Sequence, residues 1–201
     1  THAHIGHYSG LMYLGRETMG YKNMPLFLGP RMSDFITTNA PWSQLVKLNN
    51  VKINQLKKDK EIILNSRITI KPFTVPHRDE FSETHGFIIR GPNKSLIFIP
   101  DIDKWEKWNV DVLKIIKKND YALLDGTFFD ENELPGRDMS EIPHPFIVES
   151  TEFFKKIKDE VEINFIHFNH TNPLLNEKSN LRIKLSKNGF GSASLFQKFD
   201  L

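Results

Sequence analysis

The chain contains no cysteine among its 201 residues. Disulfide frameworks, thiolate zinc sites and cysteine nucleophiles are therefore all excluded. Any metal site in this protein must be built from histidine, aspartate or glutamate side chains.

Long apolar runs are also missing. The longest, at residues 95–100, has the length of a strand and falls far short of the roughly 18 residues that a membrane helix needs. The first residues have neither the charged start nor the apolar stretch of a signal peptide. We expect no membrane partner and, by default, a cytoplasmic location, with a leader upstream of Thr1 left open.

The chain also has no large excess of positive or negative charge. The 27 Lys and Arg residues nearly balance 25 Asp and Glu residues, and the net charge of +2 is spread along the chain. Nucleic-acid binding needs a clustered basic surface, which this pattern lacks. We therefore expect a small-molecule substrate and no nucleic-acid partner. These features do not predict the oligomeric state.

The hydrophobic content of 39%, with 16 Phe, is enough to fill a core. Strand-like and helix-like segments alternate, which predicts a single α/β domain over residues 1–201. The predicted strands are 24–28, 68–75, 86–89, 95–99, 121–124, 161–168 and 192–199. The predicted helices are 9–19, 31–48 with an interruption at Pro41, 105–118, 146–157 and 181–186.

Three of the eight histidines lie within the first seven residues, as His2, His4 and His7. On an extended segment, residues two apart point to the same side, so His2 and His4 can present two imidazoles to one cation. A turn after Ile5 would bring His7 to the neighbouring position. The alternative interpretation is a set of exposed surface histidines.

Three further side chains each follow a predicted strand, namely His77, Asp101 and His167. Strand ends at one edge of an α/β sheet are where ligand sites are assembled. Imidazole and carboxylate are the ordinary non-thiol zinc ligands. Each residue alone could be a cap or turn residue, but together with the histidine triplet they favour a metal site.

The segment His2-Ala-His4-Ile-Gly-His7, followed by Tyr-Ser-Gly-Leu, resembles the first signature of the metallo-β-lactamase fold family, His-x-His-x-Asp-His. His77, Asp101 and His167 follow in the order and rough spacing of the later ligands of that family. Four blocks resemble the branch that contains pyrroloquinoline quinone biosynthesis protein B: VPHRDEFSET at 75–84, FIPDID at 98–103, LDGTF at 124–128 and HFNHTNP at 167–173. The resemblance covers essentially the whole chain.

This resemblance implies a four-layer αββα sandwich that binds one or two divalent metal ions between its sheet edges. Zinc is the first expectation, with manganese or iron as alternatives. The implied ligands are His2, His4 and His77 for the first metal, His7 and His167 for the second, and Asp101 as the bridge.

Two departures from the family pattern change these expectations. Gly6 replaces the family's aspartate, so we expect the second site to be weak, empty or completed by His170. The chain also opens at the first motif, whereas the family places several strands before it. Either an upstream portion lies outside this sequence or the first sheet lacks its first strands.

Two divalent cations lower the pKa of a bridging water, so the resemblance implies a hydrolase that uses a metal-bound hydroxide on a small ester, phosphodiester or lactone-like substrate. Asp125 and His144 resemble an acid and a histidine that lie near the metals in ribonuclease Z. They would orient a metal ligand or pass a proton to the leaving group. The alternative is that Asp125 belongs to a plain turn and His144 to a loop.

Two other functions stay open. The quinone-cofactor branch suggests a metal-dependent oxidation step in cofactor biosynthesis, and Gly6 favours it because a weakened second site leaves one mononuclear centre. The other alternative is a non-catalytic binding module that a metal stabilises.

Overall fold

The computed structural model describes residues 1–57 and 60–201. Its contacts divide the chain into two compact units. The first unit comprises Thr1–Lys60 and Arg78–His85, and the second comprises Glu61–His77 and Gly86–Leu201. The single domain predicted for residues 1–201 stays a prediction, and each unit is described by itself below.

The first unit pairs two parallel strands with three short helices. The strands are β1 (Met24–Leu28) and β2 (Val51–Gln55), in register from Met24 opposite Val51 to Leu28 opposite Gln55. The helices are α1 (Ile5–Tyr8), α2 (Pro30–Thr38) and α3 (Trp42–Lys47), and a 3₁₀ helix spans Ser9–Leu14. Parallel neighbours need a crossover connection, which α2 and α3 supply.

Several predictions for the first unit are confirmed. Strand 24–28 forms as predicted, and the helical segment 31–48 is interrupted at Pro41. The helix predicted for 9–19 is wrong in extent, since only Ser9–Leu14 is helical and it is a 3₁₀ helix. Gly10 and Gly15 explain the difference, because glycine is among the weakest helix formers.

The core of the first unit forms where α2 packs on β1. Met32 and Ile36, one helical turn apart, are buried beside Leu28. Ala3, which lies between two of the N-terminal histidines, is 5% exposed and belongs to the same cluster. Burial of Ala3 therefore fixes the histidine segment to the core of its unit.

The second unit contains a seven-stranded sheet in which the strands lie in chain order. The pairs β3–β4 and β5–β6 are antiparallel, whereas β6–β7, β7–β8 and β8–β9 are parallel. The strands are β3 (Ile62–Ile63), β4 (Thr69–Val75), β5 (Thr84–Arg90, which belongs to this unit from Gly86 onward), β6 (Ser95–Ile99), β7 (Tyr121–Asp125), β8 (Glu162–Ile166) and β9 (Gly191–Ser192). The helices are α4 (Val112–Ile116), α5 (Ile147–Phe154) and α6 (Asn180–Lys187).

Strands β6, β7 and β8 form the centre of this sheet and of its core. Their apolar runs are nearly continuous because parallel strands are buried on both faces. Ile97, Leu124 and Phe165 are fully buried in one cluster with Phe154 from α5. Within residues 1–57 and 60–201, none of the helices combines the length and apolar character that crossing a bilayer requires.

Two predictions for the second unit are wrong in extent. Instead of one helix over 105–118, a 3₁₀ turn at Trp105–Lys107 precedes α4, because the Asp111 side chain caps α4 by accepting from Lys114 N at 3.0 Å. Instead of a strand over 192–199, only Gly191–Ser192 pairs. The apolar residues Leu195 and Phe196 are 84% and 86% exposed, so the apolar side chains of this segment are not buried in the sheet.

The register of the parallel strands brings three strand ends to one edge of the sheet. Ile99 of β6 pairs with Leu124 of β7, and Asp125 of β7 pairs with Ile166 of β8. Asp101, Asp125 and His167 therefore leave the sheet at neighbouring positions. The sequence predicted such positions for Asp101 and His167.

Glycine is required at position 126 because two segments of the chain approach each other closely at this edge of the sheet. A Cβ atom at Gly126 would lie 2.8 Å from Phe165 Cβ and 3.0 Å from the Ile166 carbonyl oxygen. We expect Gly126→Ala to lower the free energy of unfolding by about 1–3 kcal/mol, as overpacking does. Urea unfolding measures the change. Gly10→Ala is the control, because nothing lies within 4 Å of its Cβ position, and equal losses in both variants would contradict the prediction.

Candidate functional site

The backbone of the histidine segment of the first unit forms two hydrogen bonds with residues 82–85. Ala3 N donates to Ser82 Oγ at 2.7 Å, and His85 N donates to the Thr1 carbonyl oxygen at 3.1 Å. Helix α1 begins at Ile5, where the sequence predicted a turn. The backbone around the first histidines is therefore fixed before any ligand binds.

The three imidazoles of this segment lie together, as predicted. His2 Nε2 and His4 Nδ1 are 2.6 Å apart, and the ring of His7 lies 4.3 Å from that of His2. His2 is 1% exposed, so the alternative of three exposed surface histidines is wrong for it. A separation of 2.6 Å is a hydrogen-bond distance, so in this structure one of these two nitrogens donates to the other.

Glu80 acts on His4 from the far side of its ring. His4 Nε2 lies 3.2 Å from Glu80 Oε2, so an Nε2–H donating to Glu80 leaves the lone pair of His4 on Nδ1, facing His2. Hydrogen bonding from its own backbone, and then from His4, lowers the pKa of the Glu80 carboxyl. A carboxylate behind a histidine is the usual support for a metal ligand. The sequence analysis missed Glu80.

In the second unit, three imidazoles surround the carboxylate of Asp101, which is 2% exposed. Asp101 Oδ1 lies 3.2 Å from His77 Nε2 and 3.3 Å from His144 Nδ1, and Asp101 Oδ2 lies 3.8 Å from His167 Nε2. The loops after β4 and β6 are tied by Asp103 N, which donates to the Pro76 carbonyl oxygen at 2.7 Å. The structure thus unites the three predicted strand-end residues and adds His144.

Asp125 is fully buried and accepts four hydrogen bonds. Its Oδ2 accepts from Ile102 N at 3.1 Å and from His144 Nδ1 at 2.8 Å. Its Oδ1 accepts from Thr127 N at 2.9 Å and from Thr127 Oγ1 at 2.7 Å. A carboxylate offers about four lone-pair sites, so these donors occupy it.

Asp125 and His144 therefore contact one another, as the family resemblance implied. Their ligand atoms and one of Asp101 all lie within 4.8 Å of one another. Because the lone pairs of Asp125 accept four hydrogen bonds within the protein, its carboxylate orients the groups that donate to it. The catalytic role of the pair stays a prediction.

His167 has a left-handed backbone with φ +64°. This conformation is uncommon for residues other than glycine and costs on the order of 1 kcal/mol. Hydrogen bonds on either side hold it, since Gly126 N donates to Ile166 O at 2.9 Å and Asn169 N donates to Thr127 O at 2.9 Å. The loop of Asp125 thus determines where the His167 ring lies.

His170 lies exposed in the turn beyond His167. Among the described residues it belongs to none of the groups of closely spaced His, Asp and Glu ligand atoms. Its assignment as a ligand stays a prediction.

The histidines of the first unit and the residues around Asp101 in the second unit are both of the types that bind divalent metals. Imidazole nitrogens and carboxylate oxygens bind zinc, manganese and iron in proteins. A buried carboxylate is costly unless a cation compensates its charge, and Asp101 is 2% exposed. A metal cation would supply that compensation.

Three comparisons identify known proteins that are similar to this chain. A family model described as "Beta-lactamase superfamily domain" matches residues 1–168. Over 126 residues, the chain is 29% identical to coenzyme PQQ synthesis protein B of Nitrosococcus oceani, covering 57% of this chain and 40% of that protein. The chain thus spans well under half of that curated relative.

Two solved structures show the same fold. Zn²⁺-bound PqqB from Methylobacterium extorquens matches with a TM-score of 0.83 and 21% identity, covering 100% of this chain and 71% of that one. Unliganded yeast PDE1 matches with a TM-score of 0.65 and 14% identity, covering 97% of this chain and 65% of that one. The predicted α/β class is confirmed.

Proposed function

Because the chain belongs to the beta-lactamase superfamily and has the metallo-β-lactamase fold, we propose that it is a metal-dependent hydrolase. Its substrate would be a small ester, phosphodiester or lactone. The observation that carries the proposal is the buried Asp101 carboxylate with three imidazole nitrogens within 3.8 Å. A purely structural role does not require three imidazoles around one buried carboxylate.

The proposed metal ligands of the second unit are His77, Asp101 and His167. We propose the same role for His2, His4 and His7 of the first unit, whose rings lie together. Zinc is the first candidate, since the PqqB structure of Methylobacterium extorquens is described as Zn²⁺-bound. When bound, a divalent metal lowers the pKa of a coordinated water so that hydroxide is available at neutral pH.

The proposed role of Asp125 and His144 is to move a proton. Because His144 Nδ1 donates to Asp125, the lone pair of His144 lies on Nε2, the atom that can take up or release a proton. The His144 side chain is 12% exposed, so it is shielded without being closed off from solvent. An oriented imidazole of this kind first accepts a proton on Nε2 as a general base, and it can then release that proton to a leaving group as a general acid.

The first test is metal analysis of the chain purified without chelator, followed by hydrolysis of p-nitrophenyl acetate, bis-p-nitrophenyl phosphate and a simple lactone. We expect at least about one equivalent of a transition metal, since structural and catalytic sites bind zinc tightly. Activity should disappear with EDTA and return with zinc. Less than about half an equivalent of metal would contradict the proposal.

Two variants of one loop sharpen this test. His167→Ala should lower both metal content and hydrolysis, because His167 faces Asp101. His170→Ala decides whether the exposed His170 is a ligand: unchanged metal content would remove it from the set. Unchanged metal content in His167→Ala would remove His167.

The comparisons also favour a second candidate, a metal-dependent oxidation step in quinone cofactor biosynthesis, because two of the similar proteins are PQQ synthesis proteins. Bound iron and consumption of oxygen would support this candidate over zinc and hydrolysis. Bound metal without any turnover would instead support a metal-stabilised binding module.

A further inference from the structure

The hydroxyl of Thr127 lies between Asp125 and His167. Thr127 Oγ1 is 2.7 Å from Asp125 Oδ1 and 2.9 Å from His167 Nδ1. Thr127 is 8% exposed, so bulk water does not compete strongly for either bond. The three side chains thus form one continuous chain of hydrogen bonds.

The direction of each hydrogen bond follows from the donors available. Both oxygens of Asp125 accept a backbone N–H, one from Ile102 and one from Thr127, so the carboxylate acts as an acceptor. The hydroxyl therefore donates its only proton to Asp125. It can then only accept from His167, which requires the imidazole proton to be on Nδ1.

This arrangement has a consequence for the other nitrogen of His167. With the proton on Nδ1, the lone pair is on Nε2, the atom that lies 3.8 Å from Asp101 Oδ2. A lone pair facing a carboxylate oxygen is the arrangement that a cation between them stabilises. The partner of one ring nitrogen commonly determines in this way which nitrogen binds a metal.

We propose that Thr127 is a positioning residue that holds His167 in its Nδ1–H tautomer and thereby presents Nε2 to a metal. The metal itself rests on the proposed function, whereas the tautomer does not.

The backbone of Thr127 is built to aim this hydroxyl. Its carbonyl accepts from Asn169 N at 2.9 Å and from Asn172 Nδ2 at 3.2 Å, and its N–H is bound to Asp125. A β-branched side chain also has few χ1 rotamers. The hydrogen bonds on the backbone N–H and carbonyl of Thr127 therefore fix the position of its hydroxyl. A group that selects one tautomer of a neighbouring histidine needs such a fixed position.

The first experiment reads the tautomer directly in the metal-free chain. Two-dimensional ¹⁵N NMR near pH 8, above the ordinary histidine pKa of about 6.5, distinguishes Nδ1–H from Nε2–H imidazoles. The His167 signal is assigned by its loss in His167→Gln. We expect Nδ1–H in the wild type and in Thr127→Ser, and a shift towards Nε2–H in Thr127→Val, which has the same shape without the hydroxyl.

The second experiment measures zinc affinity by chelator competition. Thr127→Val should bind zinc about 10–100-fold more weakly, the usual effect of removing a group behind a ligand. Thr127→Ser should stay within about threefold of the wild type, because it restores the hydroxyl.

The outcomes separate the two proposals. An Nε2–H tautomer of His167 in the wild type, or an unchanged Nδ1–H tautomer in folded Thr127→Val, overturns the role of Thr127. If Thr127→Val does not fold, the wild-type and Thr127→Ser spectra decide the question alone. A wild-type chain that shows Nδ1–H but binds no metal supports the hydrogen-bond chain and contradicts the proposed function.

Discussion

Replacing Asp101 by asparagine is expected to abolish tight metal binding while leaving the metal-free chain as stable as the wild type or more stable. Asparagine keeps the shape of the side chain but removes the charge that three imidazoles surround. Removing a group that hydrogen-bonds to a metal ligand lowers metal affinity by up to roughly 100-fold, so loss of a ligand itself should lower it further. Chelator competition measures this affinity.

The stability half of this prediction follows from desolvation. Burying the Asp101 charge carries a desolvation cost, and in the metal-free chain the neighbouring polar groups offset that cost only in part. Urea unfolding in EDTA should therefore show no loss for Asp101→Asn. Groups held for function in this way commonly reduce stability.

The matched control is Asp103→Asn, two residues further along the same loop. The Asp103 carboxylate accepts hydrogen bonds from Lys104 N and Lys107 Nζ. Its charge is therefore paired with Lys107 and not with the imidazoles around Asp101. Metal affinity should stay within about threefold of the wild type, as expected for a residue outside the metal's supporting groups. Equal losses of affinity in both variants would show that loop disruption, and not ligation, causes the effect.

The edge of the sheet that carries Asp101, Asp125 and His167 was predictable from sequence. Each residue follows a short apolar run, and parallel strands buried on both faces consist of such runs. Once these strands are neighbours, their ends must meet. The spacing of His2 and His4 was predictable for the same reason, since residues two apart share a side.

The groups behind these residues were not predictable. Glu80 reaches His4 from a distant segment, and Thr127 reaches His167 through a loop contact, and neither pair has a local sequence pattern. The same limit explains the wrong strand at 192–199, because the local sequence could not show that Leu195 and Phe196 are exposed. Local periodicity reports burial only when tertiary packing uses it.

The cluster also leads to a second large expected effect, on stability. Asp125→Ala removes the acceptor for four donors inside the core of the second unit, namely Ile102 N, Thr127 N, Thr127 Oγ1 and His144 Nδ1. Leaving buried donors without an acceptor costs about 1–3 kcal/mol each, although such losses do not add fully. We expect the free energy of unfolding to fall by about 3–5 kcal/mol, the usual result of breaking a buried charged network.

Urea unfolding in EDTA tests this expectation without any contribution from bound metal. Asp125→Asn should lie between the wild type and Asp125→Ala, because the amide keeps one oxygen acceptor but turns an NH₂ group towards two donors. Asp159→Ala is the control, since that side chain is 86% exposed, and its effect should stay within about 0.5 kcal/mol. If Asp125→Ala were no more harmful than Asp159→Ala, the four hydrogen bonds would not organise this cluster. The tautomers assigned to His144 and His167 would then lose their common support, because both depend on a single buried acceptor.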